Sequence, residues 1–169
     1  MILTLFFKIF GALVVICCGW SLGNSAAGKL RCQRVFWEDL ITLCELLENN
    51  ALYLRRPLPD FFVQEITSYN FSVLSFPPGA DKNFSVWRKT AWIQIVRQSN
   101  LEHASLDRVR SFWDSLGTGG AEEEAERIRY YHASFVQART DAKNKEDGSV
   151  RVYRSLGICG GMVAALLLL

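Results

Sequence analysis

The hydrophobic residues of the chain are concentrated at its two ends, and the charged residues lie between them. Residues 2–22 and 156–169 are almost wholly apolar, whereas the stretch between them carries nearly every charge. A helix needs about 20 apolar residues to cross roughly 30 Å of hydrocarbon, and the first segment has that length. The second is shorter, so a span there depends on its preceding residues or on a locally thinner bilayer. The pattern predicts two transmembrane helices, residues 1–24 and 155–169, that flank a helical domain at residues 25–154.

The first apolar segment also has the features of a cleaved signal peptide. Lys8 would supply the charged start, residues 9–18 the apolar centre, and Ser-Ala-Ala at residues 25–27 the cleavage site. A retained span accommodates Lys8 as well, because its ammonium group can reach the headgroups while its stem stays in lipid. Trp20 lies where an interfacial aromatic residue is expected. Both interpretations remain open from the sequence.

Basic residues flank both apolar segments on the side of the charged middle. Three follow the first segment and four precede the second: Lys29, Arg31, Arg34, Lys143, Lys145, Arg151 and Arg154. Positively charged flanks are retained on the cytosolic side of a membrane. We therefore expect a two-span protein whose middle domain faces the cytosol.

Apolar residues of the middle recur at three- and four-residue steps, which predicts helices throughout. The first helix is expected from about residue 25 to residue 54 and ends before Pro57, because the residue before a proline is disfavoured in helical geometry. A second helix is expected to begin at Pro59. Residues 71–76 are the nearest candidate for a strand, but they are few.

Capping residues predict where the later helices begin and end. Asp81 and Ser105 are the expected N-caps of a third and a fourth helix, and Gly117 is the expected stop of the fourth. Thr118 is expected to open a long last helix. Apolar residues repeat every seven positions along it, at Ala121, Ile128, Phe135 and Ala142.

Charge and cysteine content exclude some classes of protein. The net charge of +2 is too small for a nucleic-acid module, which normally carries a basic stripe. Only Cys32 and Cys44 of the five cysteines lie in the middle domain, and their spacing fits no zinc pattern. Two thiols make no disulfide framework, which agrees with a reducing compartment.

Residues for catalysis are sparse. His103 and His132 are the only histidines, and no carboxylate or cysteine is spaced to complete a ligand set with either. The Gly-Thr-Gly-Gly run at residues 117–120 lacks the lysine of a phosphate-binding loop. We therefore expect no enzymatic activity, no cofactor and no metal.

Two charged clusters are candidate contacts for a protein partner. Arg55 and Arg56 precede a proline turn, and Glu122, Glu123 and Glu124 begin the last helix. The structural interpretation is that the arginines are solvated and that the glutamates complement the helix dipole. The functional one is that these five residues contact a partner.

Small residues in the apolar ends are candidates for packing between the two spans. Gly157 and Gly161 have the G-x-x-x-G spacing that permits close contact of helices in lipid. Gly11 and Gly19 would offer the opposing surface in the first span.

Four motifs resemble the stage III sporulation protein AB family of endospore-forming bacteria. The run Tyr-Leu-Arg-Arg-Pro-Leu at residues 53–58 resembles the family's tyrosine, two residues and then Thr-Pro-Leu, and Trp87 lies where the family has a helical tryptophan. Residues 116–117 match its Leu-Gly turn. Residues 153–161 contain its Ser-Leu-Gly signature. Departures occur at Arg56 in place of threonine, at Asn50 where an acidic residue is common, and at residues 119–120, which are glycines.

The resemblance implies a fold and a role. The family's helical domain is similar to the F platform protein of type II secretion and type IV pilus systems, an antiparallel helical bundle. It implies a membrane platform in the mother-cell membrane around the forespore. The platform would dock a cytosolic secretion-type ATPase, stage III sporulation protein AA. Other proteins of the same operon would complete a trans-envelope channel.

Two points stay open from the sequence. The first open point is the oligomeric state, because a homo-oligomer is as compatible with the pattern as a single copy. A membrane-tethered sensor or adaptor that binds a ligand is the alternative function, and it predicts a sizeable apolar pocket within the bundle.

Overall fold

The computed structural model describes residues 28–79 and 83–168, and these residues form helices and loops without a strand. The two π-helical turns, Asn50–Leu54 and Phe62–Ile66, continue the helices that precede them. The five α-helices of the described residues are α1 (28–49), α2 (Leu58–Phe61), α3 (Phe84–Ser99), α4 (His103–Ser115) and α5 (Ala121–Leu168). The predicted all-helical class is confirmed.

The chain divides into two compact units. One is Cys32–Asp141, and the described part of the other consists of residues 28–31 and 142–168. Across the described residues, no helix combines the length and the apolarity that a membrane crossing requires. The predicted span at residues 1–24 lies outside them, and residues 155–168 of the second predicted span form the helical end of α5.

Helices α1 and α5 pair in antiparallel directions. Glu38 bonds to Arg139 at 2.9 Å, and Glu48 bonds to Arg129 at 2.6 Å. Residue numbers therefore rise along one helix as they fall along the other.

The core between these helices is largely aromatic. The ring of Phe135 on α5 lies 5.5 Å from that of Trp37 and 5.3 Å from that of Phe112. Of the heptad positions predicted for α5, Ile128, Phe135 and Ala142 are buried. The fourth, Ala121, is exposed because it is the first residue of the helix.

The starts of α3 and α4 differ from the predictions. Asn83 caps α3, since its side-chain oxygen accepts a hydrogen bond from the backbone N–H of Val86 at 3.2 Å; Asp81 lies outside the described residues. The Ser105 cap is wrong. Helix α4 begins two residues earlier, after Glu102, whose side chain makes no capping bond.

The last helix begins three residues later than predicted. The Thr118 hydroxyl donates to the carbonyl of Ser115 at 2.8 Å, so it closes the end of α4 instead of opening α5. Gly117 ends the turn after α4 with φ of +77°, as expected of a glycine after a helix.

Residues 71–76 are an anchored loop and not a strand. The buried carboxylate of Asp39 accepts hydrogen bonds from the backbone N–H groups of Ser72, Val73 and Leu74 at 2.6–3.1 Å. These hydrogen bonds replace the pairing that a strand would make with a neighbouring strand, and they hold the loop against α1.

Candidate functional site

A tight bend after α1 sets the position of the two candidate arginines. The π-helical turn Asn50–Leu54 ends at Arg55, which adopts the left-handed conformation with φ of +50°. Its backbone N–H donates to the carbonyl of Asn50 at 2.6 Å. A non-glycine residue in this conformation costs about 1–2 kcal/mol, so the surrounding contacts must hold it.

Asn50 supplies those contacts from a buried position. Its side-chain Nδ2 donates to the carbonyl of Arg56 at 3.1 Å, and its Oδ1 accepts from the N–H of Arg56 at 3.2 Å. An amide can make both bonds at once because it has a donor and an acceptor. The direction of the chain after α1 is fixed by this pair.

The two arginine side chains have different surroundings. The guanidinium of Arg56 binds Gln64 at 3.2 Å and Glu65 at 3.1 Å, on the π-helical turn after α2. Arg55 is exposed, and its side chain has no hydrogen bond or ion pair to any residue that the structure describes. Arg55 is therefore the more available of the two cations.

The turn between α4 and α5 lies opposite this bend. A Cβ added at Gly117 would lie 2.7 Å from Cδ1 of Leu58, so the turn approaches the start of α2 closely. The N–H of Gly117 donates to Oε1 of Glu124 at 2.7 Å, and Oε2 accepts from Arg127 at 3.0 Å. Glu124 is buried, and its carboxylate stabilises the turn through these two hydrogen bonds.

An open cavity of about 220 Å³ separates the bend from the turn. The residues that line it include the apolar Leu47 and Ile128 and the candidate residues Arg55, Arg56 and Glu124. The structure therefore brings together three of the five residues predicted for a partner interface, from positions about 70 residues apart in the chain.

The other two glutamates lie elsewhere on the surface. Glu122 and Glu123 are exposed in the first turn of α5 and do not line this cavity.

Two exposed apolar side chains directly precede Arg55 in the chain. Tyr53 is 77% exposed and Leu54 is 41% exposed, immediately before Arg55. The cavity and the exposed Arg55 are therefore the candidate surface for a contact.

A family comparison adds to this geometry. The family model described as stage III sporulation protein AB matches residues 8–169. The chain belongs to this family. It matches no curated protein and no solved structure.

Asn50 and Arg56 of this member of the stage III sporulation protein AB family both lie within the bend. Asn50 supplies both hydrogen bonds to Arg56. Arg56 adds an ion pair to Glu65. The two residues are therefore structurally coupled, since the side chain of Asn50 holds the backbone of Arg56.

The titratable residues that the structure describes were compared with the spacing that a metal site requires. No group of three or more His, Cys, Asp or Glu side chains in the described residues is placed to hold a metal ion. Burial raises the pKa of the Cys44 thiol, and the charges of Glu45 and Glu48 raise it further. That thiol therefore stays protonated and unreactive at neutral pH. His132 lies 3.7 Å from Glu45 on an open surface.

The candidate residues for packing between spans fall mostly outside the description. Gly11 and Gly19 lie outside the described residues. Gly157 and Gly161 lie one helical turn apart in α5. Packing between the two spans stays a prediction.

Sequence patterns missed three residues of the cavity. Leu58 and Gly117 form its close approach, and Asn50 fixes its rim. The one available signal was the Asn-Asn pair at the end of a strongly periodic helix, because asparagine favours turns over helix interiors. Their convergence depends on tertiary contacts.

Proposed function

We propose that the chain is a non-enzymatic platform in the mother-cell membrane around the forespore. In this role its helical domain docks a cytosolic secretion-type ATPase, stage III sporulation protein AA. Other proteins of the same operon complete the trans-envelope complex. Family membership supports a role in stage III of sporulation, and the antiparallel pairing of α1 with α5 agrees with a bundle like the F platform protein.

The cavity beside Arg55 is the observation that carries the docking part of this proposal. Its volume of about 220 Å³ suits one or two side chains of a partner protein. Arg55, an exposed cation without a partner in the described residues, lines it. Arginine is one of the residue types that contribute most to protein interfaces.

The test measures binding of the ATPase to the full chain in detergent. We expect Arg55→Glu to weaken binding at least about tenfold, because it places a carboxylate where the partner's carboxylate is expected. Arg108→Glu makes the same charge change on an exposed site of α4 and is expected to bind like the wild type.

Two results would count against this function. Absence of binding in every detergent and nucleotide state would exclude docking. Equal weakening by both variants would exclude the cavity as the docking site, since only bulk charge would then matter.

The alternative function, a ligand-binding sensor or adaptor, is less well supported by the cavity. Pockets for small molecules have volumes of about 300–1,000 Å³ and enclose most of the ligand. The cavity beside Arg55 is smaller, and both it and a groove of about 560 Å³ between α3 and α4 are open to solvent. The neighbouring core is filled by Leu47, Phe112 and Phe135, all of them buried.

A further inference from the structure

Helix α3 has apolar residues on two opposite faces. Trp87 and Ile95 are buried on the inner face. On the outer face Val86 is 58% exposed, Ile93 is 53% exposed and Val96 is also exposed. A surface helix of a monomeric domain normally has one apolar stripe, and it faces the core. The second stripe is therefore a candidate contact surface.

The outer face of α3 is also basic. The helix contains Arg88, Lys89 and Arg97 and no acidic residue. Arg88 donates hydrogen bonds to backbone carbonyls at the end of α4. Lys89 and Arg97 are exposed and take part in no ion pair among the described residues. Lys89, Ile93 and Arg97 are spaced four residues apart, so they form one stripe along about 12 Å of helix.

A groove of about 560 Å³ between α3 and α4 adjoins this stripe. Lys89 and Ile93 line it together with Trp92, Trp113 and the ion pair of Arg110 with Asp114. A concave surface of this kind receives a convex element such as a helix, whereas a lipid surface is flat. The groove therefore favours a protein segment with acidic and apolar side chains.

Helix α5 of the same chain has a stripe of the complementary kind. Glu122, Glu126 and Tyr130 are spaced four residues apart along its first turns, and all three are exposed. Tyr130 is 71% exposed. Neither glutamate takes part in an ion pair among the described residues. This acidic-aromatic stripe has the same length as the basic-aliphatic stripe and the opposite charge.

We propose that copies of the chain associate head to tail. The acidic-aromatic stripe of one copy (Glu122, Glu126 and Tyr130) packs on the basic-aliphatic stripe of the next (Lys89, Ile93 and Arg97). The two stripes are different surfaces, so each copy keeps one of each available for a further neighbour. Such contacts produce rings or linear arrays. The contact is separate from the cavity beside Arg55.

Charge exchange tests the contact in the full chain in detergent, with sedimentation velocity as the readout. Lys89→Glu with Arg97→Glu reverses one stripe, and Glu122→Lys with Glu126→Lys reverses the other. We expect each double variant alone to associate at least about tenfold more weakly than the wild type. An equal mixture of the two variants is expected to regain association, because the reversed stripe of each then faces an opposite charge on the other.

Zero-length cross-linking identifies the residues in contact. A carbodiimide joins the ammonium of Lys89 to a carboxylate only where they touch. In an equal mixture of ¹⁵N-labelled and unlabelled chains, we expect links between Lys89 of one isotope and Glu122 or Glu126 of the other. Lys89→Arg is expected to abolish the link and to preserve association.

Three results would overturn the proposal. The first is a chain that stays monomeric at every concentration and salt level. The second is association that neither double variant weakens, or that the mixture fails to restore. The third is loss of binding to anionic lipid vesicles in the Lys89→Glu, Arg97→Glu variant with self-association unchanged, which would assign the stripe to a membrane.

Discussion

The side chain of Asn50 holds the backbone of Arg56 through two hydrogen bonds. Its Nδ2 donates to the Arg56 carbonyl at 3.1 Å, and its Oδ1 accepts from the Arg56 N–H at 3.2 Å. Arg55 lies directly before this clasp in a left-handed conformation. The clasp therefore keeps the exposed Arg55 guanidinium beside the cavity.

Replacement of Asn50 by aspartate is expected to destabilise the fold. A carboxylate keeps the acceptor but loses the donor, so the carbonyl of Arg56 would face a negative charge. We expect a loss of about 1–2 kcal/mol in the free energy of unfolding, measured by urea titration. Asn49→Asp is the matched control, because Asn49 is exposed and its side chain makes no capping bond. Equal losses in the two variants would contradict a stabilising role of the two Asn50 hydrogen bonds.

The turn between α4 and α5 is expected to depend on Gly117. Gly117→Ala places a Cβ at φ of +77° and 2.7 Å from Leu58. We expect a loss of about 1–2 kcal/mol, mostly from the backbone, because Leu58 has a flexible side chain. Thermal unfolding of Gly117→Asn separates the two causes. Asparagine tolerates left-handed geometry better than alanine, so a milder loss there supports the backbone cause and a larger one supports the clash.

A control for that turn is Gly120→Ala. Nothing lies within 4 Å of a Cβ added at Gly120, and no positive φ constrains it. We expect its effect to stay within about 0.5 kcal/mol. A loss as large as that of Gly117→Ala would show that the whole turn, and not one backbone conformation, is sensitive.

The carboxylate of Glu38 links α1 to α5 and makes the free energy of unfolding depend on pH. Partial burial favours a higher pKa for Glu38. Hydrogen bonds and charges from Arg139 and Arg34 outweigh it and hold the pKa below its ordinary value of 4.5. A lowered pKa in the folded state means that the stabilisation is present above the unfolded value and is lost as pH falls through the folded one. At neutral pH we expect Glu38→Gln to cost up to about 1 kcal/mol, because the pair is partly exposed.

The pH profile distinguishes this linkage from a packing effect. The difference between wild type and Glu38→Gln in urea titrations is expected to shrink as pH falls below 4.5. Glu102→Gln serves as the control, since Glu102 is exposed, makes no capping bond and has no ion pair among the described residues. A difference for Glu38→Gln that persists unchanged at low pH would contradict the linkage.

Periodicity was enough to predict the helices, because the buried residues of each one recur at helical spacing. Phe135 and Ile128 illustrate this, since a seven-residue repeat in α5 placed both in the core. The prediction of helix caps from the sequence was less accurate. Ser105 looked like a cap, but packing of Val109 and Trp113 fixes α4 in the core, and its start at His103 needs no side-chain bond.

The cavity was not predictable as a site from sequence. Asn50 and Leu58 come from one part of the chain, and Gly117 and Glu124 come from a part about 60 residues later. A charge pattern identifies Arg55 and Glu124 as two independent candidates. The distance between them in the fold depends on how α1, α2 and α5 pack. Asp39 shows the same limit, because its three bonds to the loop at residues 72–74 have no local sequence signal.

The most direct test of the docking proposal compares the affinity of the ATPase for wild-type chain and for Arg55→Gly in detergent. Glycine relieves the left-handed strain, so the variant is expected to keep its stability to within about 1 kcal/mol while it loses the guanidinium. The proposal predicts a dissociation constant at least about tenfold higher for Arg55→Gly, with thermal unfolding unchanged or raised. An unchanged dissociation constant in a stably folded variant would contradict it.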